Sequence, residues 1–575
     1  MARSKSSKKQ TTGSKKKSAT KTPSRKTPAH TVANRKAPSA RSIAKTVIQT
    51  IAPMGINGLK SLGNLLSSNP ASVIAASNAI TSHPQRYILL PANNMQADAG
   101  TGNPQIKDFL VSLSQNVARK AGVRLEARSS GRTPAINVNV VDSIHENGAK
   151  LVTISDEQLA DFRFSYPGLR IIPEKFYHLD FIRKPVERSV KRADVRLATS
   201  FTSQITITDK AGNPIPDVYA VAFTDFNTRA GASGITDGAG KLTLDLANSK
   251  IERMYVYPDH TYWGFFKKNF TLKASFGIKL TPIDLAVDDS LRYFYPTRTL
   301  PAITGKVRVG IIDTGFGPHK DITIKKGLNM VQGEAPGDFA DLEGHGTHVA
   351  GIIAAQGALP GMAAGVELYI YRVFPHGKEA SNFDIMKAID QAKNDQCDLV
   401  NMSLGEHGLD EGIVSSIKEA YSAGVLCIAA NGNDDRAQVS FPASYSLTIA
   451  VSAMGRKGTF PPSTVQSGIV KAPYGKDKQN FIADFSNIGP ETDLTAPGVG
   501  IISTYPDDKY AIMDGTSMAC PAATGLAARL LAGQSDILAM PRNQARTDAI
   551  QKFLATKIKS MGFGANFEGK GMLFL

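Results

Sequence analysis

Three glycine-rich stretches of the sequence each carry one side chain that can take part in acyl chemistry. "VRVGIIDTG" places Asp313 at the end of an apolar run, "EGHGTHVAGIIAA" places His345 between two glycines, and "DGTSMACPAATG" places Ser517 before a run of small residues. A serine can attack a carbonyl when a histidine takes its proton, a carboxylate orients that histidine, and hydrogen-bond donors stabilise the oxyanion. The chain therefore supplies the side chains of a nucleophilic site.

Each of these residues also has a simpler explanation. Ser517 could be an ordinary N-cap of the helix that follows it, and Asp313 could cap the turn after its strand. His345 and His348 form a His-x-x-His pair, but no glutamate lies between them as in the helix of a zinc metalloprotease. The three residues together favour nucleophilic catalysis, and we predict no metal site.

The elements that carry these residues predict an α/β domain over residues 296–575. Short apolar runs such as "VRVGIID", "ELYIYRVF" and "GVLCIAA" are typical of buried strands, and amphipathic segments such as "FDIMKAIDQAKND" lie between them. This alternation predicts a parallel sheet with helices on both faces. Asp313 would then lie at the carboxyl end of a strand, where sheets of this class place functional groups.

The residues before this domain predict three further segments. Residues 86–181 show strands and helices in the order β-α-β-β-α-β, which is typical of a ferredoxin-like α+β unit. Residues 195–290 alternate polar and apolar positions in "ITITD" and "KLTLDL" around glycine-rich turns, which predicts a small all-β sandwich. Residues 46–85 are expected to be a linker with a helical segment.

The basic character of the chain is concentrated at its N-terminus. Residues 1–50 hold 14 lysines and arginines and no acidic residue, so most of the formal net charge of +17 belongs to them. Residues 1–45 also hold very few large apolar side chains, which predicts a disordered tail that could contact nucleic acid or an acidic surface weakly and in a salt-dependent way.

Other features of the sequence bear on location and redox state. No secretory signal is recognised, and no apolar run approaches the roughly 20 residues that span a bilayer. Cys397, Cys427 and Cys520 have no metal-ligand spacing, which predicts free thiols. These observations favour an intracellular location and no transmembrane segment.

Taken together, the motifs resemble those of the subtilisin-like serine proteases. "IIDTG", "GHGTHVAGIIAA", "DLVNMSLG", "DLTAPGVGIISTY" and "GTSMACP" occur in the order of that family and span nearly all of residues 296–575. The resemblance implies a serine endopeptidase that acts on polypeptide substrates. Asp313 would orient His345, His345 would act as general base and then as general acid, and Ser517 would be the nucleophile.

The resemblance also implies the residues around the substrate. Asn433, in "CIAANGNDD", would donate a hydrogen bond to the oxyanion, with the nearby Asn431 as an alternative. No cofactor is implied, although Asp321 lies where some members of the family bind a structural calcium. The residues expected to line the substrate pocket are Ser403, Leu404, Gly405, Ala430, Asn431, Gly432 and Ser440.

The upstream segments resemble accessory units of proteases. Residues 86–181 resemble the inhibitory prodomain of subtilisins, which implies an intramolecular inhibitor whose last strand occupies the active site and a self-cleavage at Phe181. Residues 195–290 resemble carboxypeptidase-regulatory or transthyretin-like modules, and their position leaves open a cleavage near residue 290 or none. The alternative hypothesis is a catalytically silent scaffold that binds nucleic acid or a protein partner through its tail and β-module.

Overall fold

The computed structural model describes residues 85–91, 108–114, 123–125, 136–179, 201–304 and 306–575. The predictions for residues 1–45, for nearly all of 46–85 and for Phe181 lie outside the described residues. Within the described ranges, none of the helices combines the length and the apolar character that crossing a bilayer requires.

The first described segment forms a five-stranded antiparallel sheet with two helices. The order of its strands is β2-β3-β4-β1-β5, and β2 is a short edge strand absent from the predicted element order. Residues along β3 alternate between buried and exposed, so one face of the sheet packs on the helices through residues such as Leu110 and Phe162. The elements are β1 (Gln85–Pro91), α1 (108–114), β2 (Val123–Leu125), β3 (Ile136–Ser143), β4 (Lys150–Ile154), α2 (Asp156–Ser165), β5 (Leu169–Pro173) and β6 (Phe176–Leu179).

The next segment consists of two packed sheets with orders β10-β7-β13 and β12-β11-β8-β9. Alternating residues of β10 are buried, and Leu242 and Leu244 meet Met254 and Val256 of the other sheet in a shared core. The strands are β7 (Phe201–Thr208), β8 (Tyr219–Asp225), β9 (Ala230–Ile235), β10 (Lys241–Leu246), β11 (Lys250–Tyr257), β12 (Phe265–Thr271) and β13 (Ser275–Lys279).

The C-terminal segment is an α/β unit built on a sheet of order β15-β16-β14-β18-β20-β21-β22, with β23 also paired to β21. The elements up to residue 430 are α3 (Ser290–Phe294), β14 (Arg308–Asp313), β15 (Lys326–Asn329), α4 (His345–Ala354), β16 (Glu367–Arg372), β17 (Ala380–Ser381), α5 (Asn382–Asn394), β18 (Leu399–Met402), β19 (Leu404–Gly405), α6 (Glu411–Ser422) and β20 (Leu426–Ala430). The remaining elements are β21 (Thr448–Arg456), β22 (Asn480–Ile482), β23 (Leu494–Pro497), β24 (Ile501–Tyr505), β25 (Lys509–Met513), α7 (Thr516–Ala532), α8 (Ser535–Leu538), α9 (Gln544–Ala555), β26 (Ile558–Lys559), α10 (Ala565–Glu568) and β27 (Met572–Leu573).

Helices cover both faces of this sheet, as the alternation of elements predicts. Ile311 of β14 packs in the core that includes α4 and α7, whereas its neighbour Ile312 packs in the core that includes α5 and α6. Burial on both sides explains why the strands are continuous apolar runs. The predicted parallel sheet has one antiparallel edge, because the last residues of β21 pair antiparallel with β22.

Strand β6 is not part of the first sheet. It pairs instead with two strands of the α/β unit. It lies antiparallel to β17 on one side and to β19 on the other, with Tyr177 opposite Ala380 and Leu179 opposite Leu404. The Tyr177 side chain is completely buried. A strand from residues 85–179 therefore fills the groove between two short strands of the α/β unit.

Candidate active site

Asp313 and His345 form a buried pair at the carboxyl edge of the main sheet. Asp313 ends β14 and His345 begins α4, so a strand end and a helix start hold the two side chains. Asp313 Oδ1 lies 2.7 Å from His345 Nδ1, and neither side chain is exposed. A carboxylate at Nδ1 fixes the orientation and tautomer of the ring and makes Nε2 the nitrogen that can take up a proton.

A second carboxylate, Asp341, ties the end of β14 to the start of α4. It accepts hydrogen bonds from the Thr314 hydroxyl at 2.9 Å and from the Thr347 amide and hydroxyl at 2.8 and 2.6 Å. The Thr314 hydroxyl in turn accepts from the Gly346 amide at 2.8 Å. Sequence analysis missed both Asp341 and Thr314, and the only sequence signal was an aspartate four positions before the histidine.

Ser517 is buried in the first turn of α7. The cap residue of this helix is Gly515, so Ser517 is not its N-cap. The Ser517 hydroxyl donates to the Ser403 carbonyl at 3.1 Å, and the Ser403 hydroxyl donates to the Ser517 carbonyl at 3.0 Å. Ser403 follows β18, which neighbours β14, so Ser517 lies at the same edge of the sheet as Asp313.

The two candidate asparagines have different surroundings. Asn431 is buried, and its Nδ2 donates to the Asn487 carbonyl at 3.2 Å and to the Thr492 hydroxyl at 2.9 Å. Asn433 Oδ1 accepts from the amide and the hydroxyl of Thr516, each at 3.0 Å. Asn433 Nδ2 is buried without a hydrogen-bond partner among the described residues. Asn433 thus has an available amide beside the residue that precedes Ser517.

Leu404 and Gly405 lie next to β6, where they pair with Leu179 and His178. The His178 ring lies between two carboxylates, with Nδ1 3.2 Å from Glu379 and Nε2 3.2 Å from Glu406. Two of the residues predicted to line the pocket therefore form the strand that holds β6.

The remaining predicted pocket residues pack closely at and beyond Ala430, the last residue of β20. Gly432 has a φ of 102°, and a Cβ there would lie 2.2 Å from Ser440 Oγ and 2.4 Å from Asn487 Nδ2. The Asn487 side-chain amide donates to Ser440 Oγ at 3.2 Å, and the Asn487 backbone amide donates to the Gly432 carbonyl at 2.9 Å. Sequence analysis missed Asn487, because no motif marks it.

Other residues considered for metal or redox chemistry have structural partners. The Tyr510 hydroxyl donates to the Asp321 carboxylate, and His348 Nε2 lies 3.1 Å from the Ile501 carbonyl. Burial raises the pKa of the Cys397 and Cys427 thiols to about 12. Over the described ranges, no group of three or more His, Cys, Asp or Glu side chains is arranged to hold a metal ion. A structural calcium at Asp321 stays a prediction.

Comparison with known proteins gives consistent matches to the C-terminal unit. A sequence profile of the Subtilase family matches residues 304–569. Subtilisin Savinase of Lederbergia lenta is 36% identical over 230 residues, which are 39% of this chain and 77% of that protein. M-protease of Shouchella clausii is 36% identical over 230 residues, or 39% of this chain and 54% of that protein. The thermostable alkaline protease of Halalkalibacterium halodurans is 34% identical over 224 residues, which are 38% of this chain and 55% of that protein. The chain thus spans about half the length of the last two relatives.

Proposed function

This chain belongs to the subtilase family, and from that premise we propose that it is a serine endopeptidase that hydrolyses polypeptides through an acyl-enzyme. The observation that carries the proposal is the buried pair of Asp313 and His345, with 2.7 Å between Oδ1 and Nδ1, at the sheet edge where Ser517 lies in the first turn of α7. A buried carboxylate against one imidazole nitrogen prepares the other nitrogen for proton transfer.

In the proposed mechanism, the Ser517 hydroxyl leaves the Ser403 carbonyl and attacks the carbonyl carbon of the substrate while His345 Nε2 takes its proton. The oxyanion that forms accepts hydrogen bonds from Asn433 Nδ2 and from the Ser517 amide at the positive end of α7. His345 then returns the proton to the leaving amine, which departs. Water then attacks the acyl carbon while His345 Nε2 takes its proton, the ester bond to Ser517 breaks, and His345 gives the proton to the Ser517 oxygen.

We further propose that residues 85–179 act as an intramolecular inhibitor. Strand β6 fills the groove between β17 and β19, where a substrate strand would otherwise pair. Charged contacts support the same docking: Lys387 Nζ lies 2.8 Å from Asp142, and Lys175 Nζ donates to the Leu409 carbonyl at 2.7 Å. Since β6 is part of the chain, it competes with substrate at a high effective concentration.

The register of β6 supports self-cleavage close to the predicted position. Leu179 pairs with Leu404, and the preceding residue, Ser403, contacts Ser517. The last described residue of β6 therefore lies opposite the neighbour of a residue that contacts the proposed nucleophile. We propose that self-cleavage occurs within a few residues after Leu179, at or beside Phe181.

Labelling of the purified full chain with a fluorophosphonate tests the proposed activity. The reagent should attach to Ser517 in the wild type and not in Ser517→Ala. Ser535→Ala, which removes a serine at the start of α8, is the matched control and should be labelled like the wild type. The silent-scaffold alternative requires no labelling of any of the three.

Contact of residues 1–45 with nucleic acid stays a prediction.

Asn433→Ala should lower kcat by about 10² to 10³-fold with little change in KM, which is the loss measured for this donor in subtilisin, the reference enzyme of the family. The reason is that Asn433 Nδ2 is the available amide at the site. Steady-state hydrolysis of a peptide substrate measures both constants.

The matched control is Asn431→Ala, whose amide supports buried groups. It should lower the melting temperature, because it removes a buried hydrogen-bond donor from both the Asn487 carbonyl and the Thr492 hydroxyl. A kcat of Asn433→Ala within a few-fold of the wild type would exclude it as the oxyanion donor.

Tyr177→Ala should raise the rate of fluorophosphonate labelling of the full chain at least about tenfold, because removing a buried aromatic side chain weakens the docking of β6. Phe176→Ala on the same strand is the control, since the Phe176 side chain is 46% exposed and that of Tyr177 is completely buried. Equal labelling rates for both variants and the wild type would contradict the proposed inhibition.

A further inference from the structure

A cavity of about 390 Å³ lies between the β-sandwich and the α/β unit. The sandwich contributes the side chains of Phe226, Arg229 and Tyr255 to its wall, and the α/β unit contributes Asn433 and Asp514 among others. The lining of the cavity therefore includes the proposed oxyanion donor, Asn433, and also Asp514, which lies three positions before Ser517.

This cavity is separate from the groove that β6 fills. Strand β6 contacts the α/β unit at β17 and β19, and no residue of either strand lines the cavity. A polypeptide that enters along the path of β6 reaches Ser403 and then Ser517. To continue, it must pass Asn433, where the cavity begins. The cavity is thus placed for the part of a substrate that follows the cleaved bond.

The β-sandwich is held firmly against the α/β unit at this point. Trp263 is only 6% exposed and packs with Ile502 and Ile512 of β24 and β25. The Thr261 amide donates to the Tyr510 carbonyl at 2.8 Å, and the Phe266 amide donates to the Ser463 carbonyl at 2.9 Å. The wall contributed by the sandwich is therefore preformed and needs little ordering when a ligand binds.

The wall that the sandwich contributes consists of aromatic rings and of guanidinium groups stacked on one of them. The guanidinium carbons of Arg229 and Arg253 each lie 3.8 Å from the centre of the Phe226 ring. The rings of Tyr255 and Tyr257 are nearly parallel, at 4° with centres 6.0 Å apart. Because the two guanidinium groups stack on Phe226, the wall offers guanidinium planes and tyrosine rings, which suit apolar and aromatic side chains.

The charges around the cavity include both signs. The sandwich contributes Arg229 and Arg253, and the α/β unit contributes Lys471, Asp435, Asp484 and Asp514. Asp514 already accepts hydrogen bonds from Gln466 and the Gly500 amide, each at 2.7 Å. Burial, with a further contribution from Asp435, raises the pKa of Asp484 to about 6. The balance of charge leaves the aromatic wall as the selective feature.

We propose that the β-sandwich forms part of the substrate-binding site, and that its wall at Phe226, Arg229 and Tyr255 binds an apolar or aromatic side chain of the polypeptide on the C-terminal side of the cleaved bond. This inference rests on the proposed endopeptidase activity. It assigns a role in substrate binding to the β-sandwich, which packs against the α/β unit beside Asn433.

Two substrates with the same acyl side test this inference on the full chain. One ends in p-nitroanilide and has no residues after the cleaved bond, whereas the other continues for four residues that include phenylalanine and leucine. We take the ratio of kcat/KM for the longer substrate to kcat/KM for the p-nitroanilide. This ratio does not depend on the fraction of enzyme whose cleft is free of β6. Tyr255→Ala should lower this ratio about tenfold by removing an aromatic contact. Arg229→Gln, a milder surface change, should lower it about threefold.

Phe270→Ala is the matched control, because Phe270 is an aromatic residue of the same sandwich that packs against Phe276 and does not line the cavity. It should leave the ratio unchanged. A ratio that stays within twofold of the wild type in both Tyr255→Ala and Arg229→Gln would overturn the inference. Equal losses on both substrates would overturn it too, since the sandwich would then only support the fold. Absence of p-nitroanilide hydrolysis by the wild type would instead reject the proposed activity.

Discussion

Ser517→Ala should lower kcat on peptide substrates by about 10⁶-fold, which is the loss known for the nucleophile of subtilisin, the reference enzyme of the family. The variant keeps the buried pair of Asp313 and His345 but has no atom that can form an acyl-enzyme. It should also remain a single intact chain, whereas the wild type should split shortly after Leu179. The intact mass of the two purified proteins measures the second effect directly.

The same masses also test the proposed inhibitor. If both proteins stay whole while the wild type still hydrolyses peptides, self-cleavage is contradicted and residues 85–179 stay attached to the active enzyme. If both are cut at the same position, another protease is responsible, and self-cleavage by Ser517 is contradicted. Melting temperatures within a few degrees of each other show that the substitution has not disturbed the fold.

Asp313→Asn should lower kcat by about 10⁴-fold with an intact fold, as the corresponding change does in the reference serine proteases. The carboxylate accepts a hydrogen bond from His345 Nδ1 at 2.7 Å in a site without solvent access. An amide can donate to that nitrogen instead, which moves the imidazole proton to Nε2 and leaves no base to accept the proton of Ser517.

Asp341→Asn is the control for this prediction. Asp341 is also buried, but it bonds Thr314 and Thr347 and not the imidazole. Its replacement should reduce the melting temperature, since buried donors lose a charged acceptor, and should leave the remaining folded protein more active than Asp313→Asn. A loss of less than tenfold in Asp313→Asn would mean that another group orients His345.

The sequence by itself determined where the reactive side chains occur and what elements carry them. Asp313, His345 and Ser517 each lie in a contiguous motif at the boundary of a strand or helix, and such boundaries are marked by residues next to each other in the chain. The apolar runs likewise predicted the strands of the main sheet, because strands buried on both faces are continuously apolar. Each of these features depends on local spacing.

Only the tertiary structure decided which residues complete the site. Asn431 and Asn433 are two positions apart in one motif, and their different partners come from Asn487, Thr492 and Thr516, far away in sequence. The roles of Asp341 and of the antiparallel strand β22 also depend on distant segments. So does the cavity wall at Tyr255, which exists because the β-sandwich docks beside Asn433. Contacts between distant segments leave no local pattern, and packing alone determines them.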